Sequence, residues 1–88
     1  MTKTTENSEI LRRIFKEENG YSYEYRLLCR TDGAPRFGIE IFCRDGRCET
    51  HGALHDVFGN LTAAVRFFDI LVKNTVSPVH LPDIYDDR

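Results

Sequence analysis

Phe37-Gly38-Ile39-Glu40-Ile41-Phe42-Cys43-Arg44-Asp45-Gly46-Arg47-Cys48-Glu49-Thr50 is the stretch that decides the fold. Its first half alternates. Phe37, Ile39, Ile41 and Cys43 share one parity, and Gly38, Glu40, Phe42 and Arg44 share the other. Period two is the signature of a half-buried strand. Asp45-Gly46 then offers a two-residue loop of the type I′ kind, because both of its residues tolerate positive φ. That loop sets an expected register: Arg44 opposite Arg47, Cys43 opposite Cys48, Ile41 opposite Thr50, Ile39 opposite Gly52 and Phe37 opposite Leu54. The apolar face stays continuous across this hairpin, so pattern and turn agree.

Upstream, Tyr21, Tyr23, Tyr25, Leu27 and Cys29 alternate with Ser22, Glu24, Arg26, Leu28 and Arg30. This is a second strand, broken by Thr31-Asp32-Gly33-Ala34-Pro35. Residues 10–17 admit two readings. Ile10, Leu11, Ile14 and Phe15 could line one face of a helix. They could also form a strand closed by Glu18-Asn19-Gly20, with Gly20 as the left-handed residue of a bulged hairpin. The strand is the expected form, because Asn-Gly leads directly into a strand.

Downstream, Asn60 is a suitable N-cap. Leu61, Ala64, Val65, Phe68, Leu71 and Val72 follow at helical spacing, while Thr62, Arg66, Asp69 and Lys73 point away. Asn74 can end the helix, and Pro78 prevents its continuation. The helix stripe and the Tyr/Phe/Ile sheet face need each other as cover. Val76, Val79, Leu81 and Ile84 are too apolar for a free end, so residues 76–85 are expected to pack on the domain, with a short turn at Pro82-Asp83-Ile84. The expected fold is α+β: a three- or four-stranded antiparallel meander, one helix on its apolar face and an ordered C-terminal tail. Residues 1–8 are expected to be disordered, 9–85 to form a single domain, and 86–88 to fray.

Composition narrows the function classes. The chain has 88 residues, 41% hydrophobic and 11% aromatic, enough for a thin core. A net charge of −2 argues against a surface built for phosphate backbones. The opening residues lack the apolar run of a secretory signal, and Val65–Val72 is too short, and carries Arg66 and Asp69, to cross a bilayer. Three cysteines, Cys29, Cys43 and Cys48, leave one unpaired in any intramolecular scheme. A reducing cytoplasm is the expected compartment.

Tyr25-x-Leu27-Leu28, Phe37-Gly38-Ile39-Glu40-Ile41, Asp56-Val57, a helix and the closing Val76-x-Pro78-x-His80-Leu81-x-Asp83-Ile84 together resemble a family of short uncharacterised proteins from Gram-positive anaerobic bacteria. The resemblance runs from about Tyr21 to Asp86, and the Val-x-Pro-x-His-Leu-x-Asp pattern is its most specific part. It is a family of unknown function, so the resemblance implies a fold and a compartment but no activity. The three cysteines lie outside its pattern.

Candidate sites are few. Cys43 and Cys48, facing across a hairpin, could hold a metal, but structural zinc needs four ligands. His51 and His55 have the opposite parity, and on one strand they stand about 13 Å apart, so both are expected to be exposed. The cysteines are therefore expected to be small buried hydrophobes. No cofactor and no metal are expected. No phosphate loop or nucleophile turn is present.

The polar sheet face carries Arg26, Arg30, Phe42, Arg44 and His51, the ingredients of a nucleic-acid platform. It also carries Glu24, Glu40 and Glu49. The expected register sets Arg26 opposite Glu40 and Glu49 opposite Phe42, which neutralises the face. Leu28 and Phe42, with Ile14, make an apolar patch there for a protein partner or a second copy. The alternating tyrosines 21, 23 and 25 are expected to be core. His80 is expected to bond a backbone carbonyl as the tail docks, and Asp83, Asp86 and Asp87 to be solvated. The expected function is a non-catalytic protein-binding or regulatory module. Its interaction surface is Leu28, Phe42, Arg26 and Arg44, with His80 and Asp83 as possible tail contacts. Nucleic-acid binding through Arg26, Arg30, Phe42 and Arg44 is the alternative, and small-molecule binding near His80 a third reading. No membrane association is expected.

Overall fold

A computed structural model describes residues 8–86. Four antiparallel strands, β1 (Ser8–Glu18), β2 (Tyr21–Arg30), β3 (Arg36–Asp45) and β4 (Cys48–Phe58), form one sheet in the order β1-β2-β3-β4. Helix α1 (Leu61–Lys73) follows, then a single 3₁₀ turn (Pro78–His80) and a short helix α2 (Leu81–Asp86). The domain is the expected α+β meander with four strands, and residues 10–17 are strand. Ser8 already pairs with Arg30 and Asp86 ends α2, while the rest of segments 1–8 and 86–88 lies outside the described residues.

Both tight hairpins depart from their expected geometry. Glu18 pairs with Tyr21, so Asn19-Gly20 is a plain two-residue loop, not a bulged one. Both residues have positive φ, 55° and 85°, as a type I′ turn requires. At the second hairpin Asp45 pairs with Cys48, so the loop is Gly46-Arg47 rather than Asp45-Gly46. Only Gly46 has positive φ there, 57°, the pattern of a type II′ turn. The strand therefore slides by two residues from the expected register. Cys43 faces Thr50, Ile41 faces Gly52 and Ile39 faces Leu54, while the irregularity in β4 carries Phe37 two residues further, to Phe58. A shift of two keeps side-chain parity, which is why the apolar face survives.

Two irregularities re-aim the edge strands. In β1 the pairing steps from Ile10↔Leu28 to Arg12↔Leu27, leaving Leu11 as an extra residue. In β4 the pairing steps between Ile39↔Leu54 and Phe37↔Phe58, and Asp56 adopts φ 56°. Arg36 holds that bulge by donating to the Asp56 carbonyl at 2.8 and 3.1 Å, and Arg30 reaches the Asp56 carboxylate at 3.0 Å. Gly38 opposes it. A Cβ there would collide with the Leu54 carbonyl oxygen, so only glycine lets the bulge approach.

The core lies on one face of the sheet. Tyr25, Leu27, Ile39, Ile41, Phe68, Leu71 and Leu81 are fully buried. Asn60 caps α1 as expected, its Oδ1 accepting from the Ala63 N–H at 3.1 Å. The buried stripe is Ala64, Phe67, Phe68 and Leu71. Phe67 was not expected in it. Phe67 packs with Phe58 and Tyr85, widening the stripe toward β4 and the tail. Leu61 is exposed instead.

The tail docks as expected. Val76 and Pro78 are buried, Leu81 is 0% exposed, and Ile84 and Tyr85 pack against the core. Val79 points out at 66% exposure. The Pro78 backbone runs so close to β4 that a Cβ on Gly52 would stand 2.5 Å from its carbonyl oxygen. The short turn expected at Pro82-Asp83-Ile84 is part of α2. All of this cover sits on one side. The described residues measure 40 × 34 × 19 Å, a two-layer slab with a second sheet face left open.

Candidate functional site

The open face is organised in rows across the strands. Phe15, Glu24, Phe42 and His51 form one row, and Arg13, Arg26, Glu40 and Ala53 the next. Glu17, Ser22, Arg44 and Glu49 form a third, toward the hairpin loops. Ile10, Leu28 and Gly38 lie at the other end.

Phe42 is the centre of the face. Its ring stacks on the His51 ring from β4, with centroids 4.5 Å apart, and the Arg26 guanidinium from β2 lies 4.5 Å over it. Arg26 also reaches Glu24 at 2.7 Å and Glu40 at 3.5 Å. Arg13 bonds Glu24 at 3.1 Å, Arg44 bonds Glu49 at 3.4 Å and His51 stands 3.7 Å from Glu40. The neutralisation expected between Arg26 and Glu40 is present. Glu49, however, faces Arg44, and His51 takes the place opposite Phe42. Arg30 lies at the sheet end between Asp32 at 2.8 Å and Asp56 at 3.0 Å. The hydrogen bond to Asp32, then the charges of Asp56 and Asp32, push its pKa up from the ordinary arginine value.

Beside this polar lattice stands Phe15, 68% exposed on the edge strand. Phe15, Glu24, Phe42, Arg44 and Glu49 line a shallow hollow of about 190 Å³. Ile14, expected on this face, is on the other and packs against the core. The Asn19-Gly20 loop explains the exchange. With Glu18 paired to Tyr21, Phe15 falls opposite Glu24 and Ile14 opposite Tyr25. That signal was in the sequence: a two-residue loop, rather than a bulged one, fixes the parity of β1. Leu28 is half-buried near the exposed Ile10.

The other candidates are scattered. His80 and Asp83 are exposed on the tail and line neither this hollow nor the one beside the Asn19-Gly20 turn. Among the described residues the His80 side chain makes no hydrogen bond, so the carbonyl contact expected of it is not formed. Its own N–H bonds the Ser77 carbonyl at 3.1 Å. His51 and His55 are exposed, as expected. Cys43 is buried, Cys29 half-buried, and Cys48 exposed beside the turn, so Cys48 is not the buried hydrophobe expected. Among the described residues no group of three or more His, Cys, Asp or Glu could hold a metal ion. Of the tyrosines, Tyr25 is core, Tyr23 half-buried and Tyr21 exposed. Burial pushes the Tyr25 and Tyr23 phenols up from the ordinary value, with the Cys43 thiol adding to the effect on Tyr23.

One arrangement was not expected at all. Helix α1 closes with a Schellman motif: the Val76 N–H bonds the Leu71 carbonyl at 3.0 Å and the Thr75 N–H bonds Val72 at 3.2 Å. The residue forced into the left-handed region is Thr75, φ 50°, a β-branched side chain that pays strain there. Its hydroxyl accepts from the Lys16 ammonium at 2.6 Å and donates to Glu18 at 2.7 Å, while Lys16 also donates to the Val72 carbonyl at 2.7 Å. The cation sits where the helix dipole is negative and ties β1 to α1.

No helix of the described residues is long and apolar enough to cross a membrane. The fold and its surfaces define a small α+β domain with one covered and one open sheet face. The chain belongs to the family of unknown function DUF6514, whose model matches residues 5–88. No curated protein matches it, and no solved structure does.

Proposed function

We propose that this domain is a non-catalytic protein-binding module of regulatory type, and that its working surface is the open sheet face. The observation that supports this is the one-sided cover. A sheet of four strands has the core face of its middle covered by α1 and the tail, while the opposite face presents the exposed Phe15 and Ile10 and the half-buried Phe42 and Leu28 amid paired charges. Apolar groups at least partly open to solvent and interspersed with satisfied polar ones are the texture of a protein–protein surface. The free cysteines support a reducing cytoplasm as its setting.

The nucleic-acid alternative draws less support. Arg26, Arg30 and Arg44 each stand against a carboxylate, and the ring of Phe42 is occupied by Arg26 and His51. A backbone phosphate would have to displace glutamates rather than meet free cations. The test is capture from the native host with wild-type protein and with the double variant Leu28→Glu, Phe42→Glu. Proteins retained by the wild type should be lost by the variant at unchanged far-UV circular dichroism. Identical sets retained by both would reject the open face.

A further inference from the structure

We propose that β1 pairs with β1 of a second copy about a two-fold axis at Phe15, joining two sheets into one of eight strands. β1 is an edge strand, so its outer side has no neighbouring strand among the described residues. It is eleven residues long and carries three exposed large hydrophobics, Ile10, Leu11 and Phe15. Natural edges of that length are normally blunted by charge, a bulge or cover; the bulge at Leu11 blunts one end, and residues 12–18 form the regular stretch.

The hairpin fixes which backbone groups are available. The residues that flank a two-residue loop form a hydrogen-bonded pair, and the bonded positions alternate along the strand. Glu18, Lys16, Ile14 and Arg12 therefore direct their N–H and C=O groups toward β2. Glu17, Phe15 and Arg13 direct theirs outward. Centring the two-fold axis on Phe15 makes Phe15 a bonded pair with its own copy. It also makes Arg13 a bonded pair with Glu17 of the second copy, twice by symmetry.

The charges select this register. On the open face Arg13 meets Glu17, and on the helix face Arg12 meets Glu18. Ile14 meets Lys16, and the two Phe15 rings adjoin at the axis. Neighbouring registers that keep the faces aligned oppose like charges. An axis at Ile14 sets Arg12 against Lys16. Axes at Arg12, Arg13, Lys16 or Glu17 set each of those residues against itself. The strand is thus self-complementary in one register, and the isologous symmetry of a two-fold dimer requires such complementarity. The charges that would blunt this edge toward a foreign strand recognise its own copy. The arrangement goes beyond the open-face reading and does not depend on it: it joins two such faces edge to edge, covering Phe15 but leaving Leu28 and Phe42 open.

The test is sedimentation equilibrium on the intact chain, with Arg13→Glu, Glu17→Arg and the double variant carrying both. The wild type should associate reversibly to a dimer. Each single variant opposes like charges at two symmetric contacts and should weaken the dimer by about tenfold or more. The double variant restores opposite charges and should return to within about threefold of wild type. A wild type that stays monomeric up to about 1 mM, single variants that associate like wild type, or a double variant as weak as the singles would each overturn the proposal. Should one single variant lose its far-UV spectrum, the other and the double variant decide. Leu28 and Phe42, which probe the open face, stay untouched, so the two readings fail separately.

Discussion

Tyr25 carries a consequence for pH that a leucine in its place would not. Its ring is 0% exposed in the centre of the sheet, and its hydroxyl donates to the Val76 carbonyl at 2.9 Å. A buried donor with a partner is satisfied, but its phenolate would be desolvated and would face that carbonyl. Burial therefore raises its pKa above the ordinary 10.0. For an acid whose folded value is raised, the unfolded chain releases the proton first. The stabilisation is complete below 10.0 and is lost as pH rises above it toward the folded value. Stability should fall by up to about 1.4 kcal/mol per pH unit in that range from this group alone. Thermal melts at pH 8 and pH 11 should show a smaller drop for Tyr25→Phe than for wild type. An equal drop in both would place the alkaline loss elsewhere. The burial of Tyr25 was legible from alternation alone. The Phe67 side chain was not, because its partners Phe58 and Tyr85 come from a bulged strand end and the tail, far apart in sequence.

Among the elements, the tail and the two irregular strands mark where sequence patterns suffice and where they stop. Val76, Val79, Leu81 and Ile84 implied docking; Val76 and Leu81 are buried and Ile84 packs on the core, while Val79 alone of the four points out. Gly52 on β4 had no local meaning until Pro78 was seen to lie across it. The bulge in β4 was illegible for the same reason. It is held by Arg30 and Arg36 from β2 and β3, contacts that no local propensity encodes. The Gly46-Arg47 loop shows a competition between turn types in which one glycine served either register. The candidate site was half legible. Phe42 and Arg26 were placed correctly on the open face, but Phe15 was hidden by the parity of β1. Removal of the tail tests the element-level account. A chain ending at Asn74 uncovers Leu71 and the Tyr25 hydroxyl and discards Leu81, whose burial is worth about 1.5–3 kcal/mol. Its melting temperature should fall by more than about 10 °C, or cooperative melting should vanish. A chain that melts like the full one would mean that the tail adds nothing to the core.

For the whole molecule the asymmetry of the slab matters most. One sheet face is covered across its middle by α1 and the tail; the other is roofless and patterned with aromatic and paired ionic groups. The helical side has exposed apolar residues too, Leu61 at 46% and Ile70 at 50% on α1 and Val79 at 66% on the 3₁₀ turn. They serve as internal controls. Carbene footprinting with mass spectrometry, on the isolated protein and on protein engaged in host lysate, reads every one of these side chains in a single experiment. The account predicts that labelling of Phe15 and Phe42 falls on engagement while labelling of Ile70 and Val79 does not change. Loss of labelling at Ile70 and Val79, with Phe15 and Phe42 labelled as in the isolated protein, would contradict it.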